Sequence, residues 1–389
     1  MPRRLRLPAA ISTALIVAEA AVLLLRPKQK HPVVPAEPRA YFSAEELERA
    51  TAFRRGQLAL FGARTAVELA VLAGATRLAP RHSVAAGAAS AAALTLATTA
   101  AGLPLRAAAR QRAKHVGLVT QSWSGWAGDL AKGAAIGGGL AAAGGALLST
   151  GIDRFKDRWW LPGSAVITGA SVVFTYLGPV VLDPVFNRFT PLPEGPTRDD
   201  VLDLAGRAGI DVGEVFEVDA SRRTTAANAY VTGLGRTKRV VLYDTLLKDF
   251  TPAETRLVVA HELGHVRHRD VGHGLLWLAL VAPFGTLAVA RTAETLTPED
   301  RSPVPAVTFA AALLAPALTI VANGLSRAIE RRADAFALAL TDEPDAMVEF
   351  ERRITLQNVS DPAPPRWLTS LATHPPTIER IGQALASRR

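Results

Sequence analysis

The stretch LVVAHELGHVRHRD, residues 257–270, holds three histidines, two carboxylates and two arginines in fourteen positions. On a helix, His261 and His265 lie about 40° apart around the axis and about 6 Å apart along it. Two imidazoles at that spacing can bind one cation from the same side. Glu262 can hold a water at that cation but lies too far around the helix to be a third ligand. This H-E-x-x-H spacing is typical of two zinc ligands and a general base.

The same stretch has competing interpretations. The motif can arise by chance, and His265 with His268 could form the pair instead, which would leave Glu262 on the wrong side. His268 shares a face with His261 but lies too far along the axis to chelate with it. We therefore interpret His268 as part of the polar, membrane-surface end of the helix, a group completed by Arg267, Arg269 and Asp270. His273 is a weaker candidate for a metal ligand than His268.

The residues before the motif predict where its helix begins. Thr251 is an N-cap residue, Pro252 follows at the first helical position, and Glu254 stands three residues after the cap. These features together form a capping box with proline at the first turn. The capping box therefore fixes the start of the helix that carries both histidines.

A zinc enzyme needs a third protein ligand and an open position for water. The chain has no cysteine, so any metal must be held by histidine and carboxylate. The segment NGLSRAIERRADAFAL supplies Glu330 and Asp334, four residues apart on one face. Glu330 can reach the metal, while Asp334 can accept a hydrogen bond from the free nitrogen of a liganding histidine. The alternative is a solvated helix face on which Arg331 and Arg332 pair with nearby acids.

Long uncharged runs indicate a membrane protein. Hydrophobic residues make up 49% of the chain, and the mean hydropathy is +0.18. Charge gathers into short blocks, as a bilayer requires. We expect about seven transmembrane helices, at 8–25, 57–76, 83–105, 133–150, 160–182, 274–290 and 304–322. The third and fourth are rich in Ala and Gly, and Gly133 with Gly137 forms a G-x-x-x-G pair suited to close helix packing. A signal peptide is the alternative for the first run, and we expect it to be a retained helix.

Basic residues set the expected orientation. Lys and Arg number seven between the first two spans and five between the third and fourth, against two or three in each opposite-side segment. The positive-inside rule then places the N-terminus outside, with residues 183–273 and 323–389 in the cytoplasm. The net charge of +9 is scattered among loops and forms no single stripe, so we expect lipid contact and no nucleic-acid partner.

The polar segments predict a small mixed domain. TRDDVLDLAGRAGI has helical spacing after a threonine cap, whereas VGEVFEVDAS, NAYVTGLG and TKRVVLYDTLL read as strands broken by glycine turns. We divide the chain into an N-terminal membrane region of five helices (1–182), a segment with the H-E-x-x-H helix (183–273), two further transmembrane helices (274–322) and a segment with the third ligand (323–389).

With these pieces in place, the chain resembles the Ste24-type membrane zinc metalloproteases of the M48 group, the CAAX prenyl proteases. The resemblance covers most of residues 183–389. It is carried by FNRFTPL, VFEVDASRRTTAANAYVTGLGRTKRVVLYDTLL, HELGH, NGLSRAIERRADAFA and THPPTIERI, with FSAEELERA before the second span as a looser match. The implied fold is a multi-pass α-helical membrane protein with a zincin-like α+β metalloprotease domain.

The resemblance also implies roles for individual residues. One zinc ion (Zn2+) per chain would be held by His261, His265 and Glu330, with Glu262 as catalytic base and Asp334 as the acid behind the ligands. Two further residues match the family pattern: Asn228 in NAY lies near the substrate backbone on an edge strand, and His374 in THPP stabilises the oxyanion.

The expected function is therefore a zinc metalloendopeptidase of a cell membrane, acting on protein or peptide substrates. The excess of Arg over Lys and the abundance of Ala suggest a GC-rich bacterial source, hence a plasma membrane with a cytoplasmic active site. The family's role would be the processing of prenylated C-a-a-X proteins. Since bacteria are not expected to make such proteins, quality control of membrane or misfolded proteins is the alternative role. A multispan transporter with proton-relaying side chains is a remote one.

Overall fold

The computed structural model describes residues 3–233 and 238–388, and of residues 3–6 the backbone alone. Within these residues, seven helices are long and apolar enough to cross a membrane. They are α1 (Arg3–Leu25), α2 (Ala44–Arg77), α3 (Val84–His115), α4 (Trp123–Phe155), α5 (Trp160–Val181), α10 (Asp270–Leu296) and α11 (Val304–Thr341). Each expected span coincides with one of them, so the predicted multi-pass helical architecture is confirmed.

Several of these helices run well beyond the apolar windows. α2 begins at a capping box in which Ser43 and Glu46 bond each other's backbone amides. α11 continues without a break through Thr341, although its apolar window ends about 20 residues earlier. The segment that carries Glu330 and Asp334 is therefore the extension of a transmembrane helix.

Small residues do bring α3 and α4 together, but at a different place from the one predicted. A Cβ on Gly145 would lie 2.4 Å from the carbonyl oxygen of Gly87 and 2.7 Å from the Cβ of Ala91. By contrast, a Cβ on Gly133 would meet nothing within 4 Å, and one on Gly137 only a methyl group at 3.8 Å. The predicted close packing at Gly133 and Gly137 is therefore wrong, because Gly133 has no neighbour within 4 Å and Gly137 meets α3 only at ordinary van der Waals distance.

A four-stranded sheet forms the predicted small mixed domain. Its strands are β1 (Phe189–Pro191), β2 (Glu214–Val218), β3 (Ala229–Thr232) and β4 (Arg239–Tyr243), in the order β1-β2-β4-β3. β2 and β4 are parallel, and the two outer pairs are antiparallel. β3 is thus an edge strand, while the glycine turn predicted after it falls mostly on residues 234–237, outside the described residues.

Two short helices flank the first strand: α6 (Asp183–Phe186) and α7 (Pro196–Arg207). The predicted threonine cap of α7 is wrong, because its N-cap is Gly195 and Thr197 lies inside the first turn. Gly195 has a φ of 151°, a conformation that glycine adopts readily, and Pro196 then occupies the favoured first helical position.

The remaining helices complete the domain: α8 (Asp244–Asp249), α9 (Pro252–Arg267), α12 (Pro344–Gln357), α13 (Arg366–Thr369) and α14 (Thr377–Ser387). α9 starts as its sequence predicts, since the Thr251 side chain accepts from the Glu254 amide and the Glu254 carboxylate accepts from the Thr251 amide at 2.7 Å. Leu242, Leu263 and Ile381 are fully buried in the shared core.

The connection between α1 and α2 belongs to the same core. Phe42 is only 3% exposed and packs with the buried residues of α7, α9 and α12. The amide of Val34 donates to the carbonyl of Gly382 at 3.0 Å, and a Cβ on Gly382 would lie 2.2 Å from the Val34 carbonyl oxygen. The N-terminal region and the C-terminal segment therefore fold against each other.

The contact at Gly145 can be tested by adding one methyl group. We expect Gly145→Ala to destabilise the protein by about 1–3 kcal/mol, because the methyl group meets backbone that cannot move without separating α3 from α4. Gly144→Ala is the matched control, since nothing lies within 4 Å of its Cβ position. Thermal unfolding in detergent measures both variants, and equal stability of the two would contradict the assignment.

Candidate metal centre

The helical register of α9 brings His261 and His265 together. Their Nε2 atoms lie 3.1 Å apart, and the rings are almost perpendicular, with an interplanar angle of 84°. His261 is buried, whereas His265 is partly exposed. Both rings therefore present the same nitrogen to one point beside the helix, as the i, i+4 spacing predicts.

Glu330 reaches this point from α11. Its Oε2 lies 3.3 Å from His261 Nε2, and its Oε1 lies 3.6 Å from His265 Nε2. Ligands about 2.0–2.1 Å from a tetrahedral zinc lie about 3.3 Å from one another, so the three separations suit one ion of that size. Ligand atoms of these three residues all lie within 4.8 Å of one another.

Close packing of α9 on α11 makes this approach possible. A Cβ on Gly264 would lie 3.1 Å from the ring of Phe336 and 3.4 Å from the Cα of Ala333. The space beside Gly264 is therefore filled by α11 and is not open to a metal or a substrate. The glycine instead sets the distance between the two helices that carry the ligands.

Two carboxylates orient the imidazole rings. Asp334 Oδ1 lies 2.9 Å from His261 Nδ1, and Asp270 Oδ2 lies 3.0 Å from His265 Nδ1. A carboxylate at Nδ1 favours the tautomer with the proton on that nitrogen. Both Nε2 atoms are then unprotonated beside the Glu330 carboxylate, and a cation bound between these three electron-rich groups would be stabilised by all of them.

Sequence reasoning missed the role of Asp270, which we had interpreted as part of the polar end of the helix. Arg269 adopts a left-handed conformation with a φ of 56°, which ends α9 and separates it from α10. Asp270 is consequently buried at 7% exposure, between His265 and the guanidinium of Arg332. A helix break at a single left-handed residue leaves no periodic pattern in the sequence that would predict it.

His268 and His273 take no part in the cluster of ligand atoms. The Nδ1 of His268 lies 2.8 Å from the carbonyl of Gly264, and its ring packs edge-on against Phe336. His268 is the C-cap residue of α9, consistent with a helix end. His273 lies beside Asp270, with 3.7 Å between Nδ1 and Oδ1.

Arg380 of α14 holds Asp334 in place. Its Nε and Nη2 donate to the two carboxylate oxygens of Asp334 at 2.8 and 2.6 Å, and its Nη1 lies 2.5 Å from Glu351. Burial raises the pKa of Glu351 to about 7. Neither Arg380 nor Glu351 was among the predicted site residues, although Arg380 lies within the quoted THPPTIERI motif.

A cavity of about 360 Å³ opens beside the histidines and is lined by Glu262, Asn228 and His374. Burial raises the pKa of the Glu262 carboxyl above its ordinary value, which makes it a better proton acceptor near neutral pH. His374 Nε2 lies 3.3 Å from Glu330 Oε2, and its Nδ1 lies 2.8 Å from the hydroxyl of Thr373. All seven residues predicted from sequence thus lie around the histidine pair or along this cavity.

Comparison with known proteins agrees with this arrangement. The chain is 31% identical over 245 residues to the uncharacterized metalloprotease YhfN of Bacillus subtilis, covering 60% of this chain and 58% of that protein. It is 32% identical over 225 residues to a CAAX prenyl protease 1 homolog of Oryza sativa subsp. japonica, covering 54% and 52%. The chain thus spans a little over half the length of these curated relatives.

Structure and family comparisons extend the match. The crystal structure of S. mikatae Ste24p aligns with 99% of both chains at a TM-score of 0.78 and 20% identity. At that identity the alignment shows a shared fold. The family model described as Peptidase family M48 matches residues 191–388, which is half of the chain and includes every ligand atom described above. The chain therefore belongs to peptidase family M48.

Proposed function

We propose that this protein is an integral-membrane zinc metalloendopeptidase. The observation that carries the proposal is the convergence of His261, His265 and Glu330 within 3.6 Å of one another beside a cavity that also holds Glu262. The family supports a metal-dependent peptidase. The same residues would be hard to explain in a transporter, because their lone pairs converge on one point and do not form a path.

Zinc is the metal that this donor set fits best. Two imidazoles and one carboxylate, with no thiolate, form a typical catalytic zinc set that leaves a fourth position open. A zinc ion held there, one per chain, supplies Lewis acidity and makes water nucleophilic at neutral pH. Asp334 and Asp270 keep the ligand rings in the binding tautomer.

The surrounding side chains take the remaining roles. Glu262 accepts a proton from the attacking water and passes it to the leaving amine. His374 donates a hydrogen bond to the oxyanion that forms at the scissile carbonyl. The substrate backbone adds as a strand to the edge of the sheet at β3, next to Asn228.

Topology and substrate follow from the sequence and the relatives together. The positive-inside distribution supports a metal centre on the cytoplasmic side, and the excess of Arg over Lys with abundant Ala supports a bacterial plasma membrane. The Oryza relative supports processing of prenylated C-a-a-X proteins, while membrane or misfolded proteins removed in quality control are the other substrate class. Cleavage of a farnesylated peptide compared with cleavage of casein separates the two.

Replacing the general base should abolish chemistry without removing the metal. We expect Glu262→Gln to retain one zinc per chain and to lose peptide cleavage by at least about 100-fold, because the amide cannot accept the proton. His261→Ala and Glu330→Ala should instead lose zinc. Metal analysis and a peptidase assay of the purified proteins in detergent measure both effects, and full activity of Glu262→Gln would refute the mechanism.

Removing an orienting carboxylate should weaken metal binding. We expect Asp270→Asn and Asp334→Asn each to lower zinc affinity about 10- to 100-fold, because the ligand rings lose their preferred tautomer. Asp203→Asn is the control, since Asp203 is an exposed residue of α7. Competition with a zinc chelator measures the affinities, and equal values for all three variants would count against the assigned roles.

Loss of the oxyanion donor should affect turnover alone. We expect His374→Ala to lower kcat by about 100-fold or more while zinc content stays unchanged. Steady-state kinetics on a fluorogenic peptide give the kcat. A His374→Ala protein with normal kcat, or one that has lost zinc, would require another role for this residue.

A further inference from the structure

The backbone that leads into β3 is held by the N-terminal membrane region. This lead-in, residues 221–228, is paired with the loop between α3 and α4. The Thr120 amide donates to Arg223 O at 3.1 Å and the Thr225 amide to Leu118 O at 3.3 Å. The hydroxyls of Thr120 and Thr224 add bonds of 2.7 and 3.0 Å to Ser221 O and Leu118 O.

One guanidinium lies at the centre of this junction. Arg223 Nε donates to Asp129 Oδ2 at 2.9 Å, and Nη2 to Asp129 Oδ1 at 3.4 Å. Nη1 donates to Asn187 Oδ1 at 2.5 Å, and Nη2 also reaches the carbonyl of Phe186. Arg223 therefore joins three elements: the transmembrane helix α4, the end of α6 and the lead-in.

The pair is well suited to hold a fixed geometry. The side chains of Arg223 and Asp129 are 22% and 24% exposed, so solvent screens them only in part. Asp129 also accepts from Gln121 at 2.6 Å, which fixes its carboxylate on α4. A planar guanidinium with several simultaneous acceptors loses little freedom for each bond it makes.

Arg223 stands five residues before Asn228, and Asn228 immediately precedes the edge strand β3. Downstream, the Asn228 carbonyl accepts from the Tyr243 amide at 3.0 Å, which starts the pairing of β3 with β4. The position of the outer strand β3, and of Asn228 in the cavity beside Glu262, therefore depends on a lead-in segment that is fixed to α4 through Arg223.

We propose that the Arg223–Asp129 ion pair is a positioning element for the substrate: it holds the edge strand β3 at the place where a bound peptide strand passes beside the metal centre. The inference rests on the proposed function, since it takes the peptide to add to β3. Neither residue touches the metal ligands, so the pair acts on peptide binding and leaves the metal in place.

The direct test measures peptide affinity in a variant that cannot cleave the peptide. The full-length Glu262→Gln protein in detergent is combined with Arg223→Gln or Asp129→Asn, and the Kd of a fluorescein-labelled casein peptide is measured by anisotropy. A farnesylated C-a-a-X peptide is measured in parallel. We expect each second substitution to weaken binding by about tenfold, with one zinc per chain retained.

Arg222→Gln is the matched control. Arg222 also donates to the Phe186 carbonyl, at 2.7 Å, but pairs with Asp219 and does not reach α4. Its side chain is 58% exposed, so its loss should leave both Kd values within about twofold of the parent.

Hydrogen exchange distinguishes positioning from general damage. We expect the amides of residues 224–232 to exchange faster in Arg223→Gln and Asp129→Asn, while those of α9 keep the parent rate. Unchanged Kd values in either variant, or faster exchange across α9 as well, overturn the inference.

Failure of the proposed function and failure of the positioning role give different experimental results. If the wild-type protein with bound zinc cleaves neither casein nor the farnesylated peptide, the peptidase assignment fails whatever the variants do. If the wild type cleaves and the variants bind as well as the parent, only the positioning role fails.

Discussion

The rest of the structure depends on one electrostatic constraint: three electron-rich groups on two helices are held 3.1–3.6 Å from one another. Without a cation between them these lone pairs repel one another, so the packing of the two helices has to hold them in place. The capping box of α9 fixes where that helix begins, and Gly264 allows α11 to approach closely enough to bring Glu330 beside the histidines.

The carboxylates behind the histidines extend this constraint outward. Asp334 is held by Arg380 from α14, and Asp270 by Arg332 from α11, so each imidazole is oriented by a charge that is itself paired. Buried ion pairs of this kind add little net stability, but breaking one leaves an unpaired charge at high cost. The loss of one of these charged groups would therefore first change the orientation of the imidazole rings.

Local patterns in the sequence predicted much of this. The spans, the start of α9, three of the four strands and the grouping of His261, His265 and Glu330 follow from hydropathy, capping and spacing, or from motifs shared with a family. The features that could not be predicted depend on contacts between residues that are distant in the sequence, or on the exact path of the backbone. Asp270 acts through a left-handed residue, and Arg223 meets Asp129 94 residues away. The α3–α4 crossing at Gly87 and Gly145, in place of Gly133 and Gly137, required the actual helix rotation.

The burial of Phe42 ties the N-terminal membrane region to the segment that holds the candidate metal centre. The chain that links the first two transmembrane helices contributes an aromatic ring to the protease core and a backbone bond to Gly382. A fragment trimmed to residues 183–389 would carry every ligand atom yet expose the apolar hole that this ring fills. The linker between the first two transmembrane helices is therefore part of the folded core around the candidate metal centre.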